Sequence, residues 1–496
     1  MRKIVNALRL IWAVFSVLEK RILFLALIIF ILAFIANYFH IGKFVPYHPE
    51  RGGTYIEGVV GQVKTLDPFE ITSQAELDVV SILFRKLFRL TSDGKIVTDL
   101  LEKYKISKDN KTFSFTLKSN LLWHDQKILT ANDVLFTLKK FQNSGSNLFP
   151  PIPDYISFKK KDNQTVIIKS EKAINLLPII GRLPIIPKHI SDFSQPIGSG
   201  PFQFGQFTDQ GVLLKSVSSL TYLENIVIKT YENEEVLFDA YNKREIMGLG
   251  SISDDNYLEL KNHKDLNVFS FSVPQYFALF LNTKQLSLDD RKWISAAIDK
   301  QKILSSIIDQ GVILKTITGI DSKYAYKPLI DSPPKHSLNI LTLSSIRHQN
   351  IAKEIQLQLK NFDILVNITV VSDSDLSNIL DKKYDAVLIS LYYGTDSELI
   401  SPFYSGSQAN FSRILNPDLD SLLTSFTTTS VPSLKSRLLN SVYGVLRNVR
   451  SVVFLVRPAY SYVIPKTVKN VSPFNLQLPS DRFFGIENWY IKTGIK

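Results

Sequence analysis

Among side chains able to make or break bonds, this chain of 496 residues offers little beyond carboxylates. Cysteine is absent, which removes thiolate nucleophiles, thiolate metal sites and disulfides together. Seven histidines are scattered, with no HExxH pair to hold zinc, and neither a GxSxG elbow nor a phosphate-cradling glycine loop occurs. His124 has no partner at metal-ligand spacing and reads as a turn or core residue. With 46 acidic residues any two could form a pair, so a glycosidase reading rests on nothing specific. No enzymatic chemistry, cofactor or metal is expected, and what remains is binding. The run Asp385 to Leu391 reads as a strand leading directly into Tyr392, Tyr393, Gly394, Thr395 and Asp396. In open α/β sheets a ligand lies beyond the carboxyl ends of the strands, so this loop is the first candidate. Asp396 and Tyr393 stand in it as a carboxylate and an aromatic that could meet a ligand. The other readings are a solvated acid capping the following helix, which Thr395 and Ser397 also suit, and core packing for Tyr393.

Such a loop needs a frame, and the pattern of the chain supplies one. Residues 338 to 391 alternate in a βαβαβ sense: LNILTL, a helix carrying Ile351, Ile355 and Leu359, DILVNITVV, a short helix after Asp373, and DAVLISL. That predicts a mixed or parallel sheet with crossover helices. Upstream, Phe113, Phe115 and Leu117 alternate with Ser114, Thr116 and Lys118, the period of a half-buried strand. Thr130 then caps a helix, its hydroxyl expected to accept the N–H three residues on while Asp133 occupies the first turn. Val134, Leu135, Leu138 and Phe141 form the buried stripe of that helix.

The N-terminal region differs in kind. Ile22 to Phe39 is apolar apart from Asn37 and reaches roughly 27 Å as a helix, enough for a bilayer core, so it is expected to be one transmembrane helix. A cleaved signal peptide is the alternative, although no small-residue cleavage site follows. Arg2, Lys3, Arg9, Lys20 and Arg21 precede the run, which places the N-terminus in the cytoplasm and the large domain outside the plasma membrane. Within Met1 to Arg21 the polar and apolar positions separate on a helix, either a segment lying on the inner membrane surface or a plain flank of the anchor. Residues 40–51, with Pro46 and Pro49, form a linker. Of the formal net charge of +12, the first 51 residues hold +5 (seven Lys or Arg against Glu19 and Glu50) and the remainder +7. That surplus is spread, without a basic stripe interleaved with aromatics, so nucleic acid is not an expected partner.

Six segments stand in an order that resembles the family 5 extracellular solute-binding proteins, the oligopeptide and dipeptide receptors of ABC importers. They are GGTYIEGVVGQVKTLDP (52–68), SDGKIVTDLLEKYKISKDNKTFSFTL (92–117), WHDQKILTANDVLFT (123–137), GSGPF (198–202), FLNTKQLSLDDRKWISAAIDKQKI (280–303) and NFSRILNPDLDSLL (410–423). The similarity covers nearly everything after Arg51. Two departures stand out: Gln126 replaces the glycine usual in a turn that needs positive φ, and Ser397 replaces the proline usual after the site aspartate. The lipid-anchoring cysteine of many such receptors is missing too.

The resemblance implies an α/β fold of two lobes, of the type II periplasmic-binding-protein kind, with an inserted subdomain. Lobe I would comprise 52–75, 184–272 and 474–496, the insert 76–183, and lobe II 273–473, with Pro184, Pro187, Pro196 and Pro201 in turns at the crossings. It implies a cleft that closes on a peptide or similar solute and delivers it to an ABC permease. By the same resemblance Asp396 would pair with the α-amino group of a peptide and Tyr393 would be the aromatic wall, flanked by Tyr392 and Gly394. Thr72, Ser73 and Gln74 would pair with peptide backbone as an added strand, faced by Gly250 and Ser251. An envelope chaperone or sensor using the same cleft is the second reading, and an anchored hydrolase ranks last.

Overall fold

The computed structural model describes residues 14–38, 49–90, 95–144, 148–149, 152–217, 221–250, 252, 254–307, 311–319, 337–371, 379–429, 431–471 and 478–492. The chain divides into two units, Met1–Glu50 and Arg51–Lys496. In the first, a helix runs from Val17 to Tyr38. Ser16 and Glu19 close its start reciprocally: Ser16 donates its N–H and hydroxyl to the Glu19 carboxylate, both at 2.7 Å, and accepts the Glu19 N–H at 3.3 Å. Every residue from Arg21 to Ile35 is exposed. Among the described residues no helix is long and apolar enough to cross a membrane. The helix here carries Glu19, Lys20 and Arg21 in its first turns, and Phe39 and most of Met1 to Arg21 lie outside the described residues.

The second unit is built on two large sheets. The first has strand order Leu266–Ser272, Ala459–Pro465, Gly248–Leu249, Thr54–Val60, Asn225–Tyr231, Gly211–Ser216 and Phe202–Thr208. Its centre is parallel, Thr54–Val60 pairing with both Asn225–Tyr231 and Gly248–Leu249. The second has the order Val312–Ile313, Val452–Arg457, Gln275–Leu281, Ala386–Tyr392, Ser337–Leu343 and Leu365–Val371. Ser337–Leu343 lies parallel to both its neighbours, with the helix Ile346–Lys360 as a crossover, as the alternation over 338–391 requires. The short helix expected after Asp373 falls at residues outside those described.

Gln275–Leu281 shows why the second sheet is apolar on both sides. Phe277, Leu279 and Leu281 pack with Ile351, Ile355 and Leu359 of the crossover helix. Tyr276, Ala278 and Phe280 point the other way and meet Leu419, Leu423, Val442 and Leu446 from the helices Pro417–Thr428 and Pro432–Val449. Alternation along the strand thus fills two separate cores.

A four-stranded antiparallel sheet, Leu101–Ile106, Thr112–Leu117, Thr165–Ser170 and Ile156–Lys160, holds the alternating Phe113, Phe115 and Leu117 on its buried face. The helix Ala131–Ser144 follows as expected, but its cap differs in detail: the Thr130 hydroxyl accepts from Asn132 N–H (3.3 Å), two residues on. Asp133 takes the Thr130 N–H at 2.8 Å. Gln126 adopts φ 67°, the left-handed turn that its family position calls for.

One boundary moves. Ala459–Pro465 pairs along its length with Leu266–Ser272 in the first sheet, so the chain leaves the second sheet at Pro458 and not near residue 473. Both Val452–Arg457 and Ala459–Pro465 are apolar and largely buried, and nothing in their composition separates them except Pro458 itself.

Candidate ligand-binding site

The strand Ala386–Tyr392 delivers its carboxyl end to a tight corner. Gly394 and Thr395 lead into the five-residue helix Asp396–Ile400. Thr395 caps it: its hydroxyl accepts the Glu398 N–H (3.1 Å), and the Glu398 carboxylate accepts the Thr395 N–H (2.8 Å). The same carboxylate receives Arg182 Nη1 at 2.9 and 3.1 Å, while Arg182 Nη2 donates to the Leu148 carbonyl at 3.2 Å. A Cβ on Gly394 would stand 3.2 Å from Arg182 Nη1, so the glycine leaves the space that the guanidinium fills.

Asp396 opens the short helix, and its carboxylate is ion-paired with Lys435 Nζ from the helix Pro432–Val449. The acid expected to meet a ligand amine therefore already faces an ammonium belonging to the chain. Tyr392 and Tyr393 part company, as neighbours at a strand end must. Tyr392, 37 % exposed, bounds a narrow space together with Arg182, Pro274, Gly394 and Leu478. Tyr393, expected as the aromatic wall, instead packs on Tyr276 at 5.9 Å between ring centres, lies 5.6 Å from the Arg457 guanidinium, and donates its N–H to the Pro274 carbonyl at 2.9 Å. Tyr393 is partly buried against the second lobe's core, and Tyr392 is the one of the pair that faces the space.

Thr72, Ser73 and Gln74 are not an open strand edge. Ser73 caps the helix Gln74–Leu83 in a reciprocal box with Glu76. The Glu76 carboxylate collects the N–H groups of Lys64 (3.0 Å), Thr65 (3.2 Å), Thr72 (2.7 Å) and Ser73 (3.0 Å). The N–H groups of Thr72 and Ser73 are thus committed within the fold. Burial alone would raise the Glu76 carboxyl, but the four backbone donors hold it below its ordinary value. The Gln74 side chain turns to Asp78 Oδ1 at 2.7 Å.

Gly250 donates its N–H to the Gly58 carbonyl, and a Cβ there would lie 2.7 Å from Arg482 Nη2. Ser251 lies outside the described residues. Gly250 thus covers a cluster that sequence reading missed. Arg482, with a fully buried side chain, donates to Glu57 Oε1 (2.9 Å), Asp78 Oδ1 (3.0 Å), Asp78 Oδ2 (2.5 Å) and the Pro479 carbonyl (3.1 Å). Tyr55 donates to the other oxygen of Glu57 and lies 2.9 Å from the Tyr462 hydroxyl. Burial pushes the Glu57 carboxyl up, more than Arg482 pulls it down.

His124 joins two of the six signature segments. Its Nδ1 accepts the Gly198 N–H (3.1 Å), which leaves Nε2 to donate to the Gly200 carbonyl (3.0 Å), and burial holds the ring neutral by lowering its pKa. A Cβ on Gly198 or Gly200 would stand 2.0 or 1.9 Å from the carbonyl oxygens of Leu83 and Ile82, so that loop is structural. Among the described residues no group of His, Asp or Glu is arranged to hold a metal.

The model of the middle region of bacterial extracellular solute-binding proteins, family 5, matches residues 95–411. The oligopeptide-binding protein AppA of Bacillus subtilis is 21 % identical over 509 residues, covering 89 % of this chain and 92 % of its own. The crystal structure of the ABC transporter substrate-binding protein CtaP of Listeria monocytogenes superposes with a TM-score of 0.77 at 21 % identity, covering 90 % of this chain and all of that one. The structure of AppA in complex with a nonapeptide gives 0.71 at 19 %, with the same coverage. These likenesses fix the two-lobed α/β fold of the periplasmic-binding-protein kind.

Proposed function

This chain belongs to the family 5 bacterial extracellular solute-binding proteins, and from that premise we propose that it captures a peptide between its lobes for an ABC permease. The observation that carries the reading is the corner at Tyr392. There a strand end of the second sheet, the crossing residue Pro274, Arg182 and the returning Leu478 converge on one space. Each comes from a different stretch of chain, so parting the lobes opens the space and closing them buries what has entered. The peptide α-amino group replaces Lys435 at Asp396, and Tyr392 packs on the first side chain. Similarity to AppA, solved with a nonapeptide, supports a peptide as the solute.

The anchor belongs to the same proposal. From Ile22 to Ile35 the helix is apolar and exposed all round, with the charged first turns at one end. A water-filled setting would leave that surface uncompensated, whereas a bilayer would accept it. Titration calorimetry of the full chain in nonionic detergent with a mixed peptide pool tests the binding. Heat of binding without hydrolysis is expected, and turnover of a pool member without binding would sink the receptor reading. The anchor is tested by alkaline washing of membranes, which should leave the chain in the pellet.

A further inference from the structure

The second lobe contains a cavity of about 600 Å³ that shares no lining residue with the space at Tyr392. That volume falls in the range of small-molecule sites, about 300–1,000 Å³. Among the described residues its charged lining is of one sign: Lys300, Lys315, Arg447 and Arg450. Ser295, Thr316, Thr318 and Tyr443 contribute hydroxyls, and Leu446, Val452 and Phe454 an apolar wall.

The ordinary explanation for cations here is compensation of a helix end, since Arg447 and Arg450 sit at the C-terminus of Pro432–Val449. That end is already served. Arg291 Nε donates to the Val449 carbonyl at 3.0 Å, and the Arg450 N–H closes on the Leu446 carbonyl at 2.8 Å. Among the described residues Lys315, Arg447 and Arg450 form no ion pair, and all three line the cavity while remaining exposed to solvent. Lys300 is turned inward, its Nζ on the Leu314 carbonyl at 2.7 Å. The Tyr443 hydroxyl, 3.5 Å from Thr318 Oγ1, has its pKa raised by burial and so stays a donor.

Lys315, Arg447 and Arg450 around one concavity would each gain from an anion placed there, and the guanidinium groups match tetrahedral oxyanions in geometry. The cavity is several times larger than a phosphate ion, and one wall is apolar. We infer that this cavity is a second binding site, for the phosphoryl group of a small phosphate monoester whose organic part packs against Tyr443, Leu446 and Phe454. It does not depend on the peptide reading of the cleft.

Phenyl phosphate, inorganic phosphate and phenol are the probes, titrated calorimetrically into the full chain in nonionic detergent. Phenyl phosphate should bind, inorganic phosphate several-fold more weakly, and phenol not at all, with affinity falling as salt rises. The double variant Arg447→Gln, Lys315→Gln, which changes two exposed side chains, should weaken phenyl phosphate at least tenfold and leave the melting temperature and peptide titration unchanged. Vesicles containing phosphatidylglycerol distinguish a lipid headgroup: sedimentation with them through the same two residues would overturn the small-molecule assignment. Equal binding of phenol and phenyl phosphate, or an unaffected double variant, would overturn the site itself.

Discussion

Arg482 clasps Asp78 with two parallel hydrogen bonds, Nη1 to Oδ1 at 3.0 Å and Nη2 to Oδ2 at 2.5 Å, across 404 positions of sequence. Its Nε holds Glu57 from 425 positions away. Removing the guanidinium strands two carboxylates in the interior, and breaking such a buried arrangement costs about 3–5 kcal/mol. Arg482→Met should therefore lower the urea midpoint by that equivalent, and Arg482→Lys should recover little, because an ammonium cannot make the bidentate contact. A midpoint equal to that of the unchanged protein would refute the account.

Glu76 gives a pH-dependent case. Its folded carboxyl lies below the ordinary value of 4.5, so its contribution is present above that pH and is lost as pH falls through the lower folded value. Glu76→Gln should cost about 2 kcal/mol near neutral pH, by weakening charge-assisted bonds to four backbone N–H groups. The gap between the two proteins should narrow below about pH 4.5. Denaturant titrations at neutral and acidic pH measure it, and a gap that widens in acid contradicts the mechanism.

Gln126 occupies a left-handed backbone conformation at φ 67° that costs a non-glycine residue about 1 kcal/mol. Gln126→Gly should stabilise the turn by about 0.5 kcal/mol after the extra chain entropy of glycine is subtracted. Differential scanning calorimetry should show a small upward shift in melting temperature.

How far the sequence discloses the fold can be judged from individual residues. Phe113 to Leu117 and the stripe through Val134, Leu138 and Phe141 are legible because a single face is buried, and period follows from burial. Pro458 is a crossing that periodicity cannot find, since the strands on either side are buried on both faces. Tyr392 and Tyr393 differ by one position, and only the register of the strand decides which meets solvent. The Glu57, Asp78 and Arg482 cluster leaves no local trace, because its three charges come from segments hundreds of positions apart or from different elements. Asp396 was legible as an acid at a strand end, while its partner Lys435 comes from a helix that no local pattern connects to it.

That partner furnishes the prediction for the cleft, which rests on the proposed peptide role. Asp396→Ala should weaken free-amine peptides by tenfold or more and leave N-acetylated ones nearly unchanged. Lys435→Met, by removing the internal ammonium that the ligand must displace, should tighten free-amine peptides several-fold. Competition titrations with matched free and acetylated peptides read both effects, and equal loss for the two ligand types in Asp396→Ala would reject the assignment.

The pairing of Ser272 with Ala459 in one sheet and of Phe277 with Val456 in the other places the links at Val273–Pro274 and Pro458 side by side. Each link is held at both ends by a strand that cannot slide against its neighbour. Two short pivots set between antiparallel ribbons would behave like the pins of a door, permitting swing about the line joining them and resisting twist and shear. Under the proposed closure on a ligand, one angle alone would then describe how far the lobes have swung.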